Sequence, residues 1–327
     1  MNSNYEQALK WYAKAADMGN AEAQYKLGKI LMEEGKKYLR LSAQQGNKEA
    51  TALIENMFGT YSINKSRIVA SKTNTGSTGA DNCLVFESSE PFSIEAEKGW
   101  DGIIEYSLDR LKWQKWDGKK ITSKNNVIYM LGYNNTVITG DGQAEKISWC
   151  FEGAAALICR GNIEVLLDYR LVRKGKHPNM KAKCYNSMFY YCKSLEEAPA
   201  LPATELAESC YSSMFYGCTS LKEAPKLPAT KLSQMCYSYM FSYCTSLKEA
   251  PKLPATKLVF CCYNGMFLGC TSLKEAPELP ATKLLAWCYS YMFSNCTSLE
   301  KVPKLSATKL KEYECSNMFD GTMFEIR

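Results

Sequence analysis

Cysteine and a single histidine are the side chains of this 327-residue chain best suited to chemistry; there are fifteen of the former and one of the latter. Cysteine recurs before tyrosine at Cys184, Cys210, Cys236, Cys262 and Cys288, and again eight positions later at Cys192, Cys218, Cys244, Cys270 and Cys296. Three readings compete: zinc ligation, cross-linking between repeats, and burial. Zinc is held by clustered ligands, typically in closely spaced Cys pairs. A spacing of eight instead puts both thiols on one face with a methionine between them. Free cysteine behaves as a small buried hydrophobe, and the pattern favours that reading. Cys261, beside Cys262, falls at a variable position. His177 lies in "RKGKHPN" next to proline and reads as a solvated loop residue. A Gly-rich phosphate loop, a nucleophile elbow and a metalloprotease motif are all missing. The sequence therefore predicts no enzyme, no cofactor and no metal site.

The cysteines sit in a strict repeat. Met-Phe recurs at 188, 214, 240, 266, 292 and 318, always 26 apart, and Pro-x-Leu-Pro closes four of five units. Strict periodicity of this length means a solenoid whose coils contact their neighbours. Leu206, Cys210, Met214 and Cys218 share one spacing, with Tyr211 and Phe215 one position round. This predicts an apolar stripe on a helix of about three turns. Leu221, Ala224 and Leu227 then follow as an extended inner segment, in which proline limits pairing to short parallel stretches. Thr230 is the candidate N-cap of the next helix. Extended segments stack about 4.8 Å apart and helices need roughly 10 Å. The expected array is curved, with convex helices, which is a leucine-rich-repeat architecture.

Two segments precede the repeats. Residues 60–160 carry β-type runs at 83–87, 92–96, 102–108, 126–132, 135–140 and 146–150, which suggest an antiparallel sandwich. Trp100, Tyr106, Trp113, Trp116 and Trp149 could form a carbohydrate-stacking platform, but core packing is the favoured role. Residues 1–59 show apolar and small residues at helical spacing, with a second copy offset by 27. The predicted fold class is multi-domain α+β. It comprises a short helical repeat segment (1–59), an antiparallel β-sandwich-like domain (60–160) and a leucine-rich-repeat solenoid (161–327) of five full units and a partial sixth.

The net charge of +6 is modest and argues against a nucleic-acid partner. The longest apolar run, "AAALIC" at 154–159, predicts no membrane insertion. Met1–Lys10 lacks a basic start followed by an apolar core, so no signal peptide is read. Arg170, Arg173, Lys174, Lys176, Lys181 and Lys183 read as a charged, solvated linker, and the lysine columns of the repeats as solubilising. "MFDGTMFEIR" either closes the stack with a cap of Met323, Phe324 and Ile326 or is truncated.

"MFxxCTSLxxAPxLPATxL" resembles the BspA-type leucine-rich repeat of bacterial surface proteins. "GNIEVLLDY" (161–169) is similar to the segment that joins a β-rich domain to such repeats. It is read as an N-terminal cap in which Ile163, Leu166 and Leu167 cover the first coil. Residues Ala8, Trp11, Ala15, Ala16, Gly19, Ala23, Leu27 and Gly28 resemble the Sel-type relative of the tetratricopeptide repeat. The BspA resemblance implies a cell-surface or secreted protein with an adhesive or protein-binding role. The residues leave the compartment open.

Within the invariant frame, the three residues before Cys-Tyr and the two after Met-Phe change from unit to unit, Ser212, Ser213, Tyr216 and Gly217 falling in or beside these windows. Tyr190, Tyr216, Tyr239, Tyr243, Phe260, Trp287 and Tyr291 are the large members of this set, and exposed aromatics are typical interface anchors. They are the expected partner-binding residues of a non-enzymatic interaction or adhesion protein. A protein is the expected partner and a surface glycan the second choice. The alternative is carbohydrate or host-surface binding by the aromatic-rich β-domain, with the repeats as spacer.

Overall fold

The computed structural model describes residues 83–140, 148–304, 306 and 311–324. The chain divides into two compact units, Met1–Ala80 and Asp81–Arg327. The Sel-type reading of 1–59 and Ile326 lie outside the described residues.

The second unit opens with short strands: β1 (Leu84–Glu87), β2 (Ser93–Glu95), β3 (Ile103–Ser107), β4 (Gln114–Lys115), β5 (Ile121–Thr122), β6 (Val127–Tyr133), β7 (Cys150–Glu152) and β8 (Leu157–Arg160). Helix α1 (Val165–Val172), strand β9 (Leu195–Glu197) and helix α2 (Glu312–Cys315) complete the elements among the described residues. A six-stranded sheet runs β4-β3-β6-β1-β8-β9 and a three-stranded sheet β5-β2-β7. All pairs are antiparallel except β8 with β9, where Leu157 faces Leu195. Residues 135–140, expected as a strand, are irregular. Phe86 on the larger sheet and Phe151 on the smaller meet at 5.5 Å. Trp100 stacks on Trp116 at 4.9 Å, and Trp116 meets Trp149 edge-on at 4.8 Å. All three indoles are buried, and Trp116 Nε1 donates to the Lys119 carbonyl. They pack the core and offer no stacking platform, while Trp113 is half-buried.

The repeats form coils, numbered here 1 to 6 by their Met-Phe pairs. Their Cys-Tyr-x-x-Met-Phe segments are not helices, contrary to the sequence expectation. In coil 2 the residues Ser209, Ser213 and Gly217 have left-handed φ of 52°, 53° and 69°. One such residue in every four prevents the i→i−4 ladder of an α-helix. The amide donors instead alternate. Those of Ser212, Met214, Tyr216 and Cys218 bond three residues back, to Ser209, Tyr211, Ser213 and Phe215. Those of Ser209, Tyr211, Ser213, Phe215 and Gly217 reach coil 3, at Gln234, Cys236, Ser238, Met240 and Ser242, over 2.7–3.0 Å. Each coil thus combines a row of tight turns with a parallel ladder to its neighbour. The spacing of four between Cys210, Met214 and Cys218 reflects the turn repeat, which is four residues and not 3.6.

Side chains stack in columns inside the ladder. Phe189, Phe215, Phe241, Phe267, Phe293 and Phe319 lie 5.5–5.8 Å apart with nearly parallel rings. Tyr185, Tyr211, Tyr237, Tyr263 and Tyr289 form a second column at 5.7–6.3 Å. The strand region supplies the layer before coil 1. Phe151 stacks on Phe189 at 5.4 Å. The amides of Ile138, Trp149 and Leu157 donate to Cys184, Met188 and Ser194. Ile163, Leu166 and Leu167 are buried, and Ile163 accepts from the Tyr185 hydroxyl at 3.2 Å. On the far side of each coil, Glu223, Glu249, Glu275 and Lys301 form single parallel bridges. At the last described coil Phe324 packs edge-on against Phe319, whereas Met323 is exposed.

Candidate functional site: a tyrosine face on the coils

The ladder cysteines are buried, unbridged thiols. Those of the second column donate to the preceding coil: Cys218, Cys244, Cys270 and Cys296 reach the carbonyls of Phe189, Phe215, Phe241 and Phe267 at 3.0–3.1 Å. Burial pushes their pKa values up, to about 12 at Cys296, so they stay protonated. A protonated thiol is a weak donor and a poor nucleophile. Among the described residues no three His, Cys, Asp or Glu side chains converge to hold a metal.

His177 is half-exposed, and its Nδ1 lies 2.9 Å from Glu164 Oε2, whose side chain is only 2% exposed. Burial raises the Glu164 pKa against the opposing hydrogen bond from His177. Glu164, His177, Met180, Ala203 and Leu206 line a groove of about 600 Å³. Lys181 pairs with Asp101 and Arg170 with Asp168, so part of the basic junction is spent on local ion pairs.

The variable aromatics fall into two groups. Tyr190, Tyr243, Phe260 and Trp287 are exposed, while Tyr216, Tyr239 and Tyr291 are half-buried. Tyr190 stacks on Tyr216 at 4.8 Å, and Tyr216 meets Tyr243 at 5.4 Å. Tyr191 joins them, 4.8 Å from Tyr190 and 5.4 Å from Tyr216; it is more exposed than the others, at 52%. Phe260 and Trp287 share no ring contact with this cluster. They belong to a separate row with Met235 and Leu285, which are also exposed. Ser212 is buried and donates to the Ser238 carbonyl, which assigns it to the stack and not to the surface.

Left-handed backbone places four of the tyrosines, two of them in this cluster. Tyr191, Tyr239, Tyr243 and Tyr291 have φ of 55°, 53°, 58° and 56°. For a bulky L-residue this costs about 1–2 kcal/mol, and such strain persists where the surroundings enforce it. Room for the rings comes from the next coil. A Cβ at Gly217 would lie 2.7 Å from Tyr191 Cδ1, and one at Gly265 only 2.4 Å from Tyr239 Cε1. Charge is missing from the face: the segments 184–192, 210–218, 236–244, 262–270 and 288–296 hold no Asp, Glu, Lys or Arg. Burial, then the phenols of Tyr191, Tyr243 and Tyr190, push the Tyr216 hydroxyl up to about 12. Tyr190 is raised by burial and by Tyr191. The Tyr190 and Tyr216 phenols are thus held as neutral hydrogen-bonding groups at physiological pH.

The repeat sequence has a counterpart among known repeats. Residues 182–322 match the BspA type leucine rich repeat region, in six copies. Repeats of this type point to an interaction or adhesion role. No curated protein and no solved structure matches the chain. Among the described residues no helix is long and apolar enough to cross a membrane.

Proposed function

We propose that the BspA-type repeats form a solenoid that binds a protein partner through the tyrosine face. The carrying observation is the composition and placement of that face. Tyr190, Tyr191, Tyr216, Tyr239, Tyr243 and Tyr291 lie among Ser, Gly and Asn on an uncharged row of strained turns. Tyrosine supplies large, stiff, amphipathic contact area at low entropic cost, and Ser, Gly and Asn supply adaptable hydrogen bonds; antibody paratopes use the same set. The burial of Trp100, Trp116 and Trp149 withdraws support from glycan stacking on the strand region. In this reading residues 60–160 are a β-sandwich-like domain that positions the repeats. The Sel-type motifs of 1–59 suggest a second docking surface.

The test compares the full chain with a Tyr190→Ser/Tyr216→Ser/Tyr243→Ser variant against arrays of surface and matrix proteins and of glycans. The proposal expects proteins that bind the wild type and lose at least tenfold in affinity with the variant, at an unchanged thermal midpoint. Equal binding by both, or binding to glycans alone, overturns it.

A further inference from the structure

The tyrosine face has a period of its own. Among the left-handed positions, one column reads Tyr191, Gly217, Tyr243, Gly269 through coils 1 to 4, and the next reads Tyr239, Gly265, Tyr291 through coils 3 to 5. Tyrosine stands in coils 1, 3 and 5 of these columns, and glycine leaves the coils between without a side chain. Tyr191, Tyr239 and Tyr243 each lean over the glycine of the following coil, so the rings keep the spacing of their backbones. That spacing is set by the ladder. The amides of Tyr191 and Gly217 donate to Tyr216 and Ser242 at 2.7 Å, and those of Tyr239 and Gly265 to Asn264 and Ser290 at 2.8 Å. One ladder step is about 4.8 Å, so ridge follows ridge at about 9.6 Å.

The gap between the first two ridges is a formed slot. Tyr216 lies 5.4 Å from both Tyr191 and Tyr243 and meets each edge-on. It is half-buried, whereas the rings on either side are 52% and 42% exposed. A half-buried floor between two exposed aromatic walls fits a compact apolar ridge.

Period and chemistry together select the occupant. A polyproline II helix has three residues per turn and presents the same edge about every 9.3 Å. An α-helix repeats about every 5.4 Å and one side of a β-strand about every 6.7 Å; neither keeps step with the ridges. Aromatic-lined grooves take proline-rich segments in this conformation, which is preformed and loses little entropy on docking. Its carbonyls make no internal hydrogen bonds and are open to the tyrosine hydroxyls. The five segments of the face hold no Asp, Glu, Lys or Arg, which suits an uncharged ligand. We propose that the tyrosine face takes a neutral, proline-rich segment of a protein partner as a polyproline II helix. Prolines three apart seat against Tyr191, Tyr216 and Tyr243, and the following turn lies against Tyr239 and Tyr291. This partner chemistry rests on the tyrosine face being the partner-binding surface.

Fluorescence anisotropy of the full chain with three labelled nine-residue peptides tests the proposal. The first carries proline at positions 1, 4 and 7, with alanine and glutamine elsewhere. The second has the same composition with proline at positions 1, 3 and 8, and the third has serine in place of every proline. The first should bind at least about fivefold tighter than either of the others. Tyr191→Ser/Tyr243→Ser should weaken it by at least about tenfold without moving the thermal midpoint, and Phe260→Ser, off the face, should leave it unchanged. Equal affinity for the first two peptides overturns the proposal, as does binding of none of them or binding that survives the Tyr191/Tyr243 change. The spacing comparison uses the unaltered chain, so it decides the matter if the Tyr191/Tyr243 variant misfolds. A chain that binds array proteins through Tyr190, Tyr216 and Tyr243 but ignores all three peptides loses this inference and keeps the tyrosine face. Array binding indifferent to those three tyrosines removes the face itself, so the two failures are separable.

Discussion

The ring of Tyr243 lies across Gly269, one coil further along, so closely that a Cβ at Gly269 would sit 2.7 Å from Tyr243 Cδ1. The same pairing joins Tyr191 to Gly217 and Tyr239 to Gly265. Bulk in one coil is thus accommodated by its absence in the next. Gly269→Ala should cost about 1–3 kcal/mol, combining the left-handed φ of 71° with the ring clash. In a Tyr243→Ala background the clash disappears and only the backbone part remains. Gly175, with φ of 69° and no neighbour within 4 Å, is the control in which Gly→Ala reports the backbone part alone. Urea unfolding of the variants measures all three; equal losses at Gly269 and Gly175 would remove the ring from the account.

Thiol chemistry should separate the cysteines sharply. Cys244 is buried and its Sγ donates to the Phe215 carbonyl at 3.1 Å, whereas Cys261 is partly exposed. At neutral pH a maleimide should label Cys261 in the native protein and reach the ladder thiols only on unfolding. Cys244→Ala should cost about 1–3 kcal/mol through the lost donor and the small void. Fast native labelling of Cys244, read by peptide mass mapping, would contradict the buried column.

The columns were legible because their residues are the same in coils 1 to 5: Cys210, Tyr211, Met214, Phe215 and Leu221 are buried as the repeat predicts. The helix was misread because an apolar stripe at spacings of four satisfies both a helix and a row of four-residue turns. Ser209, Ser213 and Gly217 carried the missing signal. Small or turn-forming residues at that spacing favour left-handed backbone, which no helix uses. The bulky Met235, Tyr239 and Tyr243 of the next coil masked it. Tyr191, Met235 and Leu285 were missed because single positions in a variable segment carry no mark of exposure. The Glu164–His177 pair joins residues thirteen apart, with no periodicity to announce it.

The phenylalanine column should respond according to position. Phe241 is stacked on both sides, by Phe215 and Phe267, while Phe319 ends the ring stack. Phe241→Ala should cost about 3–5 kcal/mol, the usual loss for a fully buried ring. Because coils contact chiefly their neighbours, the loss should also split unfolding and lower the denaturant slope. Phe319→Ala should cost clearly less and leave the slope intact. Equal costs at the two sites would show that the column does not couple the coils.

Glu164 should make stability depend on pH in an unusual direction. Its carboxyl is held above the ordinary value of 4.5, chiefly by burial, with the His177 hydrogen bond acting the other way. A raised carboxyl contributes stability that is complete below the unfolded value. That contribution is lost as pH rises through the folded value. Stability attributable to this site therefore declines as pH climbs above about 4.5. Glu164→Gln keeps the size, removes the charge and should flatten that part of the profile. His177→Ala leaves the buried Glu164 carboxyl with one partner fewer; at neutral pH it should cost about 1–3 kcal/mol. At pH 4, where Glu164 is protonated, the His177→Ala loss should shrink. Thermal midpoints of the three proteins from pH 4 to 8 decide the matter: parallel curves for wild type and Glu164→Gln would show that the Glu164 carboxyl does not titrate with folding.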